Sequence, residues 1–219
     1  MGLFTGILLA IAVLGVSSLK NCTVDDLKNA QAVFGKKLGL DSGKNWNHPL
    51  ALLEAIHGFY AKDGDRGIVD VCNAINSELD FLNAKQIDLR TCFDPRFLLA
   101  NDDTPEHALH YISVVSYLRF QCGAGFYTAA QNWQCISETF RASASNLIHT
   151  VRDVVNKLAN TDLFQFEKCE VIKQGERPYF KPFQDRCRVG PVTYFACESY
   201  NTFFTSVLPD CRSECKIST

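Results

Sequence analysis

The sequence lacks any excess of charge: 22 Lys and Arg stand against 24 Asp and Glu, a formal net charge of −2. A chain so nearly neutral carries no electrostatic footprint for a nucleic-acid backbone. It has no low-complexity tract, no repeat of fixed period and no sustained apolar–polar alternation, which excludes disordered, solenoid and sheet-rich readings. After residue 16 no second long apolar run follows, so no membrane span is expected in the mature chain. The metalloprotease pattern His-Glu-x-x-His is missing. Zinc knuckles come as close cysteine pairs, often in two sets, and here only Cys211 and Cys215 come near that spacing.

What the chain does have is a core-forming composition and many cysteines. Of 219 residues, 47% are hydrophobic and 21% charged. A globular chain of this size buries roughly 70% of its unfolded surface. The opening "MGLFTGILLAIAVLGVSSLK" is apolar from Leu3 to Val16, broken by Thr5 and two glycines. A bilayer span needs about 20 apolar residues, so this run is short for one. It fits a secretory signal peptide over residues 1–18, cleaved after Ser18 with Val16 at −3, although no Lys or Arg precedes the run. Residues 19–219 then form a single domain. Myristoylation of Gly2 is not expected, because position 6 is glycine, and Cys215 lies one place too early for prenylation.

Ten cysteines all follow that cleavage point: Cys22, Cys72, Cys92, Cys122, Cys135, Cys169, Cys187, Cys197, Cys211 and Cys215. An even number in an exported chain reads as five disulfides, and the sequence leaves the partners open.

The apolar period is helical. Thr23 and Asp26 resemble a capping box, followed by Leu27, Ala30, Phe34 and Leu38 at three- and four-residue steps. Pro49 suits a first helical position, with Leu53, Ile56 and Tyr60 on one face. Ile68, Val71, Cys72, Ile75, Leu79 and Leu82 make the cleanest stripe, so Cys72 should point inward and staple its helix to another element. Thr104-Pro105-Glu106 starts a helix that runs to Cys122-Gly123, and a long stripe from Ile136 to Leu158 stops near Asn160. From Leu163 to Ile172 the pattern suggests a short helix. "KQGERPYFKPFQDRCRVGP" holds two glycines and three prolines if its last residue is counted, and is expected to be a long ordered loop held by Cys187. A last helical region carries Phe195, Cys197, Phe203, Phe204 and Val207, and Pro209 opens a short turn that puts Cys211 and Cys215 on one face. The fold class is therefore all-α: a disulfide-stapled irregular helical bundle.

"FQCGAGFYTAAQNWQC", Phe120 to Cys135, comes close to a dinucleotide phosphate loop. Such a loop follows a strand, whereas a helical stripe precedes this one. It reads instead as a stapled corner, with Gly123 ending the helix at positive φ and Gly125 letting two helices approach. If Cys122 and Cys135 were bonded, so short a loop would contribute about 3 kcal/mol.

The stretch "YLRFQCGAGFYTAAQNWQC", Tyr117 to Cys135, resembles a segment of the nematode secreted cysteine-rich domain called domain of unknown function nineteen. There too a helix ends in Cys-Gly-x-Gly-aromatic, and a second cysteine follows an aromatic about a dozen residues on. The later order is similar as well: Cys169, Cys187, Cys197 and a terminal Cys211/Cys215 pair. The resemblance covers most of residues 22–215. It implies a secreted, helical, disulfide-bonded protein and offers no catalytic residues to carry over.

Chemistry-bearing patterns are sparse. His107 and His110 stand at helical i,i+3 spacing without a third ligand and read as surface histidines. Asp63 and Asp65 in "KDGDRG" fail the calcium-loop pattern, because Gly67, Ile68 and Ala74 occupy the positions that need Asp or Asn, Gly and Glu. "LDSGK" offers Ser42 without the frame of a nucleophilic serine, so Asp41, Ser42 and Gly43 read as turn residues. "NCT" makes Asn21 a glycosylation acceptor, although the central cysteine acts against occupancy. "ERPYFKPFQDR" is the best interaction segment, combining Tyr179, Phe180 and Phe183 with Arg177, Lys181 and Arg186. The plainer reading is that the same three aromatics cap the helical core.

The expectation is a secreted, non-catalytic module that needs no cofactor and binds an extracellular protein or glycan. The alternative is an extracellular carrier of a hydrophobic small molecule, for which 16 Phe and 7 Tyr would line a cavity. A hydrolase with an unfamiliar site has no positive support in the sequence.

Overall fold

The computed structural model describes residues 19–41, 43–62, 66–101 and 104–216. The expected signal peptide and its cleavage point, Ser42, and the Asp63/Asp65 pair lie outside the described residues. Ten α-helices follow in order among them. They are α1 (Val24–Leu38), α2 (Pro49–Lys62), α3 (Gly67–Ala84), α4 (Leu89–Cys92), α5 (Pro95–Asn101), α6 (Pro105–Cys122), α7 (Phe126–Gln131), α8 (Trp133–Leu158), α9 (Gln165–Cys187) and α10 (Gly190–Thr205). A 3-10 turn, Pro209–Cys211, ends the regular structure. The described residues contain no strand, only an isolated bridge between Lys20 and Ile87.

Local chemistry accounts for the helix boundaries. Thr23 caps α1 in a full capping box with Asp26, whose carboxyl is lowered chiefly by the Thr23 side chain and also by Lys85. Thr104 caps α6 by accepting from the His107 N–H, with Pro105 at the first helical position. The inward stripes of α1, α2 and α3 are buried as their spacing predicts, apart from Leu79, which is half-buried.

Packing joins α2 to α8, α8 to α9, α9 to α10, α10 to α6, and α6 back to α2. These five helices close a ring, and α1 and α3 cover its side at α2 and α6. The ring interior is aromatic and polar together. Tyr117 lies 3.1 Å from His57 Nε2 and accepts from Tyr179 at 3.3 Å, while Tyr60 donates to Gln121 at 2.9 Å and Gln121 to Ser199 at 3.2 Å. Phe140 and Phe183 meet edge to face beside this network at 5.3 Å. Every member is buried. Such networks specify one packing arrangement when their polar groups are satisfied, and here the buried His57 Nδ1 finds no hydrogen-bond partner among the described residues.

Five disulfides tie the helices: Cys22–Cys92, Cys72–Cys122, Cys135–Cys187, Cys169–Cys211 and Cys197–Cys215. Cys72 does point inward, and it staples α3 to the end of α6. The glycine corner is not stapled to itself, because Cys122 bonds backward to Cys72 and Cys135 forward to Cys187. Gly123 is also not at positive φ; its φ is −108°. A Cβ there would lie 2.7 Å from the Arg119 carbonyl oxygen, so steric closeness sets the requirement. At Gly125 a Cβ would meet Phe195 at 2.9 Å, and this is the close helix approach that was expected.

The largest correction concerns residues 173–191. No long loop forms there, since α9 runs unbroken from Gln165 to Cys187 with Pro178 and Pro182 inside it. A proline in a helix interior forfeits an N–H bond and crowds the preceding turn. Here Pro178 and the residue it would have bonded, Gln174, both face solvent, so water can serve the freed carbonyl. The opposite face of α9 buries Ile172, Gly175, Tyr179 and Phe183. Disulfides hold both ends of the helix, through Cys169 and Cys187.

Candidate functional site

The most constrained surface feature lies where the chain ends its described part. After the 3-10 turn, residues 212–216 run as an extended strap across α9 and α10. Cys211 fastens the strap to α9 and Cys215 fastens it to α10. Between those anchors the buried Asn201 donates to the Ser213 carbonyl at 3.2 Å. The Ser213 hydroxyl lies between the Glu176 carboxylate and the Asn201 side-chain oxygen and can donate to either. Arg212 pairs with the buried Glu198 at 3.1 Å. Arg212 is itself 61% exposed, so solvent shares in compensating that carboxylate.

Strap and α9 enclose an open groove of about 560 Å³, with Lys173, Glu176, Arg177 and Phe180 on one wall and Glu214 and Lys216 on the other. Gly175 sets how deeply α9 sits, because a Cβ there would fall 2.3 Å from the Tyr200 hydroxyl and 2.5 Å from Val154. That hydroxyl donates to the Ile172 carbonyl at 2.6 Å. Lys173 faces Glu170 at 4.0 Å. Among the described residues Arg177 and Lys216 form no ion pair.

The groove takes part of the binding set expected from sequence. Arg177 and Phe180 line it. Tyr179 and Phe183 are each 1% exposed and belong to the ring core, so they cannot touch a partner in the folded chain. Lys181 is half-buried and paired with Asp185, and Arg186 is exposed in the last turn, away from the groove lining. Sequence reasoning missed Lys173, Glu214 and Lys216. Their only signal was the closeness of Cys211 and Cys215, which hinted that the tail is tied down.

Other expected positions fall as follows. Asn21 is exposed between Lys20, whose backbone bonds Gln86 and Asp88, and Cys22, which is bonded to Cys92. His107 and His110 are half-buried rather than fully on the surface, and the His107 ring stands 5.9 Å from that of His48. Burial pushes the His110 imidazole below its ordinary value. His57 is sealed in the ring and held neutral by burial, at about 3. Glu176, Cys197 and Cys215 bring three metal-ligand atoms within 4.8 Å, but the two sulfurs are bonded to each other and are not thiolates.

Fold and site together define a disulfide-crosslinked helical bundle with a strapped surface groove. No family model, curated protein or solved structure matches this chain.

Proposed function

We propose that the chain is a secreted, non-catalytic binding module that recognises an extracellular protein or glycan through the groove between α9 and the strap. The observation that carries this reading is the covalent fixing of both groove walls: Cys169–Cys211 and Cys197–Cys215 hold the strap against two core helices. A rigid rim lowers the ordering cost of binding. Arg177 and the half-buried Phe180 supply the residue types that dominate binding hot spots. The five disulfides and the apolar run from Leu3 to Val16 in the sequence support export. An exposed Asn21 supports a glycan there, and the mass of secreted material tests both that glycan and cleavage after Ser18.

The carrier alternative finds less support. A ligand of drug size needs roughly 300–1,000 Å³. The groove is large enough but open to solvent, whereas the partly open cavity under α1, α3 and α6 is about 10 Å³, lined in part by Gln31, Glu78 and Tyr111. That is room for about one water.

Capture from extracellular fluid tests the groove. The wild-type chain should return a reproducible partner, and an Arg177→Ala/Phe180→Ala chain of unchanged thermal stability should lose most of it. Equal capture by the two chains, or repeated empty captures, would end this reading.

A further inference from the structure

One apolar feature outside the groove is built with as much constraint. Phe164 and Phe166 flank the start of α9 and are 70% and 68% exposed. Their rings are nearly parallel, 8° apart, with centroids 6.1 Å from each other. Rings stacked at a van der Waals plane spacing of about 3.5 Å would need a lateral slide of about 5 Å to reach that separation. At 70% and 68% exposure both side chains keep much of their surface open, and the two rings form a platform.

The backbone under the platform is fixed. The Phe164 N–H donates to the Glu167 carboxylate at 2.8 Å, and the Phe164 carbonyl accepts from the Lys168 N–H at 3.1 Å. The Asn160 side chain accepts from the Asp162 N–H just upstream. Cys169, one turn further, is bonded to Cys211.

Phe166 also begins the solvent face of α9. Phe166, Glu170, Lys173, Arg177 and Phe180 follow at steps of four, three, four and three, which keeps them on one side of the helix. From first to last the face is about 21 Å long at 1.5 Å per residue. The platform is thus collinear with the groove.

We infer that the Phe164/Phe166 platform and the outer face of α9 form one extended site for a neutral oligosaccharide. This rests on the groove reading and names its ligand class. Two observations favour a sugar. First, the two rings expose on the order of 200–300 Å², far below the roughly 800 Å² per partner of a stable protein interface. That area matches one or two sugar rings, whose C–H faces are attracted by the negative face of an aromatic ring. Second, the charges along the site alternate: Glu170, Glu176 and Glu214 against Lys173, Arg177 and Lys216. Alternation of this kind does not select a polyanion, but it offers donors and acceptors for uncharged hydroxyls.

The test uses the intact, disulfide-bonded chain against a panel of neutral β-glucan, chitin, mannan and galactan oligosaccharides. At least one should bind, and the Phe164→Ala/Phe166→Ala chain should bind it at least tenfold more weakly with unchanged helical content and melting temperature. Because both rings are exposed, the double variant is expected to fold. No binding at millimolar sugar, or equal affinity of the two chains, would overturn the inference. So would capture of a partner that needs both rings yet survives enzymatic deglycosylation, since that assigns the platform to a protein. Failure of the groove reading itself is seen separately, in capture by the Arg177→Ala/Phe180→Ala chain.

Discussion

Glu78 is a carboxyl 3% exposed on α3, beside the water-sized cavity, with the Tyr111 hydroxyl donating to it from 3.4 Å. Burial lifts it from 4.5 to about 7, and the Tyr111 bond offsets this only in part. Between those values the native chain holds a proton that the unfolded chain has shed, so stability falls as pH rises. His57 works in the opposite sense. Burial lowers it from 6.5 to about 3, the unfolded chain binds the proton that the native chain refuses, and stability rises through that window. Each group contributes a slope of about 1.4 kcal/mol per pH unit, so the two nearly cancel where the windows overlap. Denaturant titrations of wild type and Glu78→Gln should show the variant gaining on wild type from pH 4.5 to 7 and level above that. Parallel curves would show that Glu78 is not buried as described. Both stand in register with the core, Glu78 between Ile75 and Leu82 and His57 between Leu53 and Tyr60, but a polar residue type outweighs register when a stripe is read from apolar residues alone. Tyr179 and Phe183 show the same competition: composition offers them as contact residues or as caps of the core, and their register on α9 makes them core.

Among the helices, those with an apolar stripe and a boundary signal were readable: α1, α2, α3 and α6 start or stop close to their Thr, Pro and Gly signals, and α8 stops two residues before Asn160. Short α4, α5 and α7 were not, since four to seven residues hold too little period. The start of α9 carries a short helical pattern, but from residue 173 on Pro178 and Pro182 outweigh local propensity, and tertiary packing on α8 and α10 reverses that balance. The helix makes a prediction with a definite sign. Pro178 is solvent-facing, so Pro178→Ala restores an N–H to the helix ladder without crowding. Proline is about 3 kcal/mol worse than alanine inside a helix, and the lost stiffness of the unfolded chain returns about 0.4–1 kcal/mol. The variant should be more stable by about 2–2.5 kcal/mol in chemical denaturation. Destabilisation would indicate a loop.

At the scale of the whole molecule the crosslinks fall into two sets. Cys22–Cys92 and Cys72–Cys122 interlock before the glycine corner, and Cys135–Cys187, Cys169–Cys211 and Cys197–Cys215 interlock after it. No disulfide joins the sets, so helix packing holds them together, chiefly through α2 on α8 and α6 on α10. The chain-entropy account gives each bond roughly 3–4.5 kcal/mol for the loop it closes, and interlocking prevents a simple sum. The number of disulfides was legible from an even cysteine count after an export signal, whereas the pairing was not, because it depends on which helices meet in space. The strapped groove and the sugar platform both depend on the second set. Peptide mapping of the secreted chain without reduction tests this most directly. The account predicts five linked peptide pairs, with Cys122 found only with Cys72, Cys135 only with Cys187, and Cys211 and Cys215 joined to Cys169 and Cys197. Free thiols in the native protein, or any link from the residues before the corner to those after it, would contradict it.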